Sequence, residues 1–467
     1  MNKKLDYPAI IDTCLATLAE NDRGSYTSPN GSLYPHQWLW DSCFNAIGIR
    51  HIDIARAQQE IESILEGQWS NGMVPHMIFD SSPQYHRDRA IWSSWLSPNA
   101  PDDLATSGIT QPPIIAEAVW RVGELLPKLE RKAWFARVLP ALINYHTWLY
   151  RERDPHNDGL TFQIHPWEVG LDNTPPWMDQ LREHHSPWWA AAIVKLKLEP
   201  IINKFRRDTR KLPAGTRIRT LDALLIFDVI RRLRRKQYDI NKILHRSLFV
   251  IEDLSFNAVL ARNNQLLAQI AKTARWKLPE ELTEHFSCTE NALEALWDDA
   301  TGQYYSRDFL TFKLIMQPTI ATFLPLYAGT ASPERARILV ELLRSKKHYG
   351  LTYPVPSVPK SSPVFSPYRY WQGPTWINTN WLIADGLDRY GYAEDAEHIR
   401  QKSVELVALS GTNEYFSPLD GVGYGSEPFS WTAALTLDVI RRQQPELAHF
   451  ENIYTTPEEL QPQPVSE

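Results

Sequence analysis

Apolar residues recur at three- and four-residue spacing in about a dozen separate segments of this 467-residue chain, and that repeated helical period constrains its fold more than any other feature. The segments are 8–18, 52–65, 113–126, 134–150, 221–233, 256–270, 293–297, 315–327, 336–343, 376–390, 393–409 and 429–440. Asp222 and Ser332-Pro333 supply helix-start chemistry where two of the patterns begin. Alternating runs rarely exceed four residues, so the fold class is all-α. Length alone would allow roughly three domains, but a ring of about twelve helices can occupy the whole chain as one core.

Between the helical segments lie long stretches rich in Pro, Gly, Ser, Trp and Tyr: 25–41, 69–111, 154–189, 348–375 and 411–430. Loops of that length inside a compact domain are usually functional. The chain has 18 Trp and 34 Pro against 5 Met and 3 Cys, and many of the Trp fall in these loops. Disordered linkers are poor in aromatics, so the rings are expected to line something. Loops gathered at one mouth of a helical barrel would place them around a single cleft.

Composition removes several classes. A formal net charge of −6 lacks the positive field that holds phosphate backbones, so no nucleic-acid partner is expected. Cys14, Cys43 and Cys288 are too few and too dispersed for a disulfide framework or a thiolate metal site. No run reaches the length needed to span a bilayer, and Asp6, Pro8 and Asp12 interrupt any secretory apolar core, so the expectation is a cytoplasmic protein with no membrane partner. Residues 204–236 are basic, which reads first as a solvated face and second as recognition of an anionic group or a homo-oligomer contact. A tail over 451–467, rich in Pro, Glu and Gln, is expected to fray behind a single catalytic domain of residues 1–450.

Four constellations carry chemistry. Tyr34, Trp38, Trp40 and Asp41 combine rings that stack on sugar C–H faces with a carboxylate that accepts hydroxyl protons; the plainer alternative is two Trp packing at a helix entry with Asp41 as its N-cap. Asp172 lies in Gly170-Leu171-Asp172-Asn173 on a stiff loop between Trp167 and Trp177, where loss of water would raise its pKa toward that of a general acid; the alternative is an Asp-Asn turn. Glu414, in Glu414-Tyr415-Phe416, offers a second acid from another aromatic loop, and two carboxylates flanking a glycosidic bond are the minimal apparatus for hydrolysing it. Glu427 competes for that role but precedes Pro428-Phe429 at a helix start, where capping suits it better. Tyr370-Trp371-Gln372-Gly373-Pro374-Thr375-Trp376 has the composition of a sugar subsite.

At these residues the sequence resembles glycoside hydrolase family 63, and within it the bacterial mannosylglycerate and glucosylglycerate hydrolases. The carriers are Trp38-Leu39-Trp40-Asp41, Val74-Pro75-His76, Thr110-Gln111-Pro112-Pro113, Gly170-Leu171-Asp172-Asn173, Tyr370-Trp371-Gln372-Gly373-Pro374, Glu414-Tyr415-Phe416 and Phe429-Ser430-Trp431-Thr432, in one order over nearly the whole chain. The resemblance implies an (α/α)6 barrel that hydrolyses α-glycosides with inversion. It further implies Asp172 as general acid, Glu414 as general base, and Tyr34, Trp38, Trp40, Asp41, Gln111, Tyr370, Trp371, Gln372 and Trp376 as the sugar-binding wall. No metal and no cofactor are implied, and His184-His185 reads as a surface pair. Two segments depart from those relatives: 217–223 lacks a Tyr six residues after Arg217, and Tyr85-His86-Arg87-Asp88-Arg89-Ala90 is charged. Both are expected to face the leaving group.

The expected activity is therefore exo-acting, inverting hydrolysis of a small α-glucoside or α-mannoside, such as a glycerate glycoside or related compatible solute. A sugar isomerase or epimerase on the same barrel, or an inactive carbohydrate-binding protein, are the alternatives. The isomerase would need catalytic His, and the His here do not gather in the carboxylate loops.

Overall fold

The computed structural model describes residues 5–454 apart from 186, 205, 246–249 and 448–449, and apart from the side chains of 184, 185, 191 and 194. The His184-His185 side chains and most of the 451–467 tail thus lie outside the described residues.

Twelve helices build the ring: α1 (Tyr7–Asn21), α2 (Leu39–Ile49), α3 (Ile54–Glu66), α4 (Ile115–Glu124), α5 (Lys128–Arg153), α6 (Leu254–Ala274), α7 (Glu280–Glu294), α8 (Leu324–Ala328), α9 (Pro333–Arg344), α10 (Ile377–Arg389), α11 (Ala393–Ser410) and α12 (Ser430–Gln443). Helices α2, α4, α6, α8, α10 and α12 pack each on the next, and α12 closes back onto α2, which makes an inner circle of six. All eleven residues of α2 and all five of α8 are buried. The outer helices bury one face only, as Ala336, Leu339, Val340 and Leu343 do along α9. The expected (α/α)6 barrel is what the chain forms.

Inner helices touch at small residues: a Cβ on Gly48 of α2 would stand 2.2 Å from the carbonyl oxygen of Ala434 in α12, and one on Gly386 of α10 would stand 2.6 Å from Tyr327 N. The start of the chain is also stitched to the segment between α11 and α12. Thr17 and Thr412 share a 2.7 Å hydroxyl bond, and Asn21 and Asn30 both donate to the Pro428 carbonyl.

Among the described residues the strands are four antiparallel two-residue pairs, including Gln37–Trp38 with Met77–Ile78 and Tyr415–Phe416 with Gly423–Tyr424. The long connections also hold further helices at His86–Trp92, Pro175–His185, Trp188–Lys195, Glu199–Asn203, Arg207–Lys211, Thr220–Arg235 and Ile240–Leu244.

Several expectations are corrected. The helix expected at 293–297 is the end of α7, which begins at Glu280. Asp222 does not cap its helix; both of its oxygens accept from Arg182, at 2.9 and 2.7 Å. Asp41 lies in the first turn of α2 rather than at its N-cap, which is Trp38. Glu427 is not a cap either, since α12 starts after Phe429 with no side-chain cap bond. Ser332 does cap α9, accepting from Arg335 N at 3.3 Å.

Candidate active site

The loop that delivers Asp172 is anchored by a buried ion pair. Glu168 accepts from Arg153 Nη2 at 2.9 Å and Nη1 at 3.1 Å, and its two oxygens also take the backbone N–H groups of Thr110 and Ile164. A wholly buried carboxylate with four donors is satisfied rather than stranded, which is the condition for tolerating it. Gly170 then turns the chain at φ +72°, and a Cβ there would fall 2.4 Å from the ring of Trp40. Only glycine lets the Asp172 loop lie this close to the aromatic wall.

The segment 370–372 grips the same loop. Tyr370 OH donates to Asp172 Oδ2 at 2.9 Å, Trp371 N donates to Asn173 Oδ1 at 2.9 Å, and Gln372 Nε2 donates to the Asn173 carbonyl at 2.9 Å. Tyr370 holds its position from a left-handed backbone, φ +39°, unusual for a residue with a side chain. Asp172 keeps part of its surface open, yet dense protein around it pushes its carboxyl up to about 7, against the opposing pull of the Tyr370 hydroxyl and of Arg217.

Glu414 comes from the opposite side, at the start of the Tyr415–Phe416 strand, and is 2% exposed. Oε1 accepts from Tyr34 OH at 3.0 Å and Arg217 Nη1 at 2.9 Å, and Oε2 from Ser426 N at 3.0 Å and Ser426 Oγ at 3.2 Å. Gly425, at φ +79°, leaves room for this: a Cβ would stand 2.5 Å from Oε2. Arg217 also donates to Tyr34 OH and lays its guanidinium 3.8 Å above the centre of the Tyr370 ring. One tyrosine therefore bonds the first carboxylate through its hydroxyl and carries on its face the cation that bonds the second.

The remaining candidates surround this pair. Trp371 and Trp376 stack at 3.7 Å with planes 3° apart; Trp376 leans on Tyr415 at 4.7 Å, and Trp40 meets Trp431 edge to face at 5.4 Å. Trp38 is half-buried, edge-on to Tyr34 at 5.9 Å. Gln111 accepts from Trp40 N at 3.2 Å, fixing the start of α2. Asp41 is buried, and its carboxyl is pushed well up, first by loss of water and then by the nearby charges of Glu414 and Asp172. All eleven candidates thus gather at one place. Trp177, which follows Asp172 by five positions, is fully buried in the core.

Arg217, Ser426, Gly425 and the Glu168–Arg153 knot are the parts sequence reasoning missed. Arg217 is buried, although it lies in the basic segment read first as a solvated face. The departure at 217–223 marked that region, but not an arginine reaching a carboxylate.

Similarity to known proteins is specific and spans both carboxylates. The family model of the mannosylglycerate hydrolase MGH1-like glycoside hydrolase domain matches residues 34–432. A mannosylglycerate hydrolase of Thermus thermophilus is 39% identical over 425 residues, covering 90% of this chain and 98% of the relative. A glucosylglycerate hydrolase of Mycolicibacterium hassiacum is 32% identical over 457 residues, covering 92% and 98%. The crystal structure of a GH63 mannosylglycerate hydrolase from Thermus thermophilus, in complex with Tris and D-glycerate, superposes with a TM-score of 0.82 at 36% identity, covering 92% of this chain and 99% of that one. The chain accordingly belongs to the mannosylglycerate hydrolase-like branch of glycoside hydrolase family 63 and is a glycoside hydrolase.

Proposed function

We propose that the protein is an inverting exo-α-glycosidase acting on a small α-mannoside or α-glucoside of glycerate or of a closely related aglycone, with Asp172 as general acid and Glu414 as general base. The observation that carries this reading is the unequal treatment of the two carboxyl groups. Asp172 is held up to about 7 by burial, so it is substantially protonated at neutral pH and can give a proton to the departing glycosidic oxygen. Glu414 accepts four hydrogen bonds and pairs with Arg217, the setting of a carboxylate that accepts.

In the proposed reaction water attacks the anomeric carbon from the face opposite the leaving group. Its proton passes to Glu414 as the C–O bond breaks, and the Asp172 proton goes to the aglycone oxygen. Inverting pairs stand about 6.5–9.5 Å apart so that this water fits between them. Tyr34, Trp38, Trp40, Asp41, Gln111, Tyr370, Trp371, Gln372 and Trp376 form the wall of the sugar subsite in this reading. Trp371 and Trp376, each 1% exposed and stacked on one another, serve it as backing. No histidine contacts either carboxylate among the described residues, and burial pushes His165 down to about 3, which disfavours the isomerase alternative.

We further take residues 1–450 as one catalytic unit, working in the cytoplasm, with cysteines 14, 43 and 288 free. No helix among the described residues is long and apolar enough to cross a membrane. The test is a panel of α-mannosides and α-glucosides of glycerate, glycerol and short sugars, with the anomer of the released sugar followed by NMR. β-Sugar appearing first, with Asp172→Asn and Glu414→Gln each lowering kcat by about 10²-fold or more, supports the reading. Release of α-sugar, or near-normal turnover in either variant, refutes it.

A further inference from the structure

A cavity of about 270 Å³ lies between the 363–369 segment and the start of the helix Thr220–Arg235. Arg182, Arg219, Ser366, Tyr368, Arg369 and Gln372 line it; Asp172, Glu414, Tyr34 and Arg217 do not. Its volume is near the lower end of small-molecule sites, which begin at about 300 Å³.

The charges around it are unbalanced. Asp222 and Asp179 are both engaged by Arg182, at 2.7 and 3.3 Å. Arg219 and Arg369 have no carboxylate partner among the described residues. Ser366 is 7% exposed, and its Oγ is buried without a hydrogen-bond partner. Arg219 also stands at the N-cap of the Thr220–Arg235 helix, which has no side-chain cap. Two guanidinium groups without a carboxylate partner, beside the N-terminus of a sixteen-residue helix whose first-turn Asp222 is already held by Arg182, are the donor set for a tetrahedral oxyanion.

We propose that this cavity is a noncatalytic binding site for a phosphate-type oxyanion, either inorganic phosphate or the phosphate group of a small phosphomonoester. It goes beyond the hydrolytic reading and does not depend on it: Arg219, from the segment expected to face the leaving group, lines this cavity, and neither Asp172 nor Glu414 does. Its floor is nevertheless shared with the acid loop, because Gln372 lines the cavity and holds the carbonyl of Asn173.

The test is calorimetric titration of the full chain with inorganic phosphate and, separately, with glycerol phosphate, in phosphate-free buffer at constant ionic strength. Saturable one-to-one binding is expected, weakened about tenfold or more in Arg219→Ala and in Arg369→Ala, with thermal unfolding unchanged. Tighter binding of glycerol phosphate identifies a phosphomonoester as the ligand, and equal or tighter binding of inorganic phosphate identifies the free anion. No saturable binding of either probe overturns the proposal. So does binding that Arg217→Ala abolishes while Arg219→Ala and Arg369→Ala leave it intact, because the anion would then sit beside Glu414.

Discussion

Tyr370 donates its hydroxyl to Asp172 from 2.9 Å while its ring face carries the Arg217 guanidinium 3.8 Å away, so a single side chain touches the proposed acid and the partner of the proposed base. The hydroxyl stabilises the ionised form of Asp172 and opposes the burial that pushes this carboxyl up to about 7. Tyr370→Phe removes that opposition, so the acid's pKa rises further. A general acid works only while protonated, and the alkaline limb of kcat/KM should therefore move to higher pH by about one unit. A pH–rate profile in which that limb stays in place would show that another group gives up the proton.

Arg217→Met keeps much of the aliphatic bulk and removes the cation. It leaves Glu414 buried with one fewer charged partner, a loss that costs about 3 kcal/mol in comparable buried pairs. Urea unfolding should show that destabilisation, and turnover should fall together with it. Equal stability of variant and parent would mean that Glu414 finds another partner.

Gly425→Ala should separate folding from chemistry. The added methyl would lie 2.5 Å from Glu414 Oε2 at a backbone of φ +79°, so the carboxylate must shift. A displacement of about 1 Å can cost about 10²-fold in rate. The expected result is a folded protein, by near-UV circular dichroism, with kcat reduced far more than KM is raised.

Asp438 is a structural carboxylate away from the site. It accepts from Arg50 at 2.9 Å, His51 at 2.8 Å and Trp381 at 2.9 Å, tying α12 to the end of α2 and to α10. Burial alone would raise its pKa, but Arg50 and His51 outweigh that and hold it well below the usual carboxylate range. A folded-state pKa depressed in this way contributes stability above the unfolded value of about 3.9, and that stability is lost as pH falls through the lower folded value. Asp438→Asn should thus destabilise by about 3 kcal/mol at pH 7, with the gap to the parent narrowing below about pH 4. Denaturation curves at neutral and acid pH check both.

What is legible in the sequence depends on how much of its surroundings each part carries with it. Outer helices such as α3 and α9 show one apolar stripe, and their period is plain. Helix α2 does not: Leu-Trp-Asp-Ser-Cys-Phe-Asn-Ala-Ile-Gly-Ile is buried on every side, so polar residues such as Asp41, Ser42 and Asn45 fall where a stripe would need apolar ones. The helix Pro175–His185 hides inside a Pro- and Trp-rich stretch that reads as loop. At the site, the aromatic and carboxylate segments are recognisable because ring, acid, Gly and Pro crowd into a few residues. Arg217 is not, because a cation inside a basic run carries no local sign of the carboxylate 197 positions further along that it meets. The Trp excess divides in a way composition could not foretell: Trp371 and Trp376 back the site, Trp134 and Trp177 are core, and Trp188 is 82% exposed.

The seam where α1 meets α12 has a consequence for synthesis. The Asp172 loop leaves the ribosome long before the Glu414 strand, which pairs with Thr375 and lies beside the seam where Asn21 and Asn30 donate to the Pro428 carbonyl and Ser430 N donates to the Pro29 carbonyl. Pairings between the two ends of a chain form late and slowly. The donors that hold Asp172 are complete by residue 370, whereas those that hold Glu414 run from Tyr34 to Ser426, so the proposed base is the carboxylate whose setting is completed last.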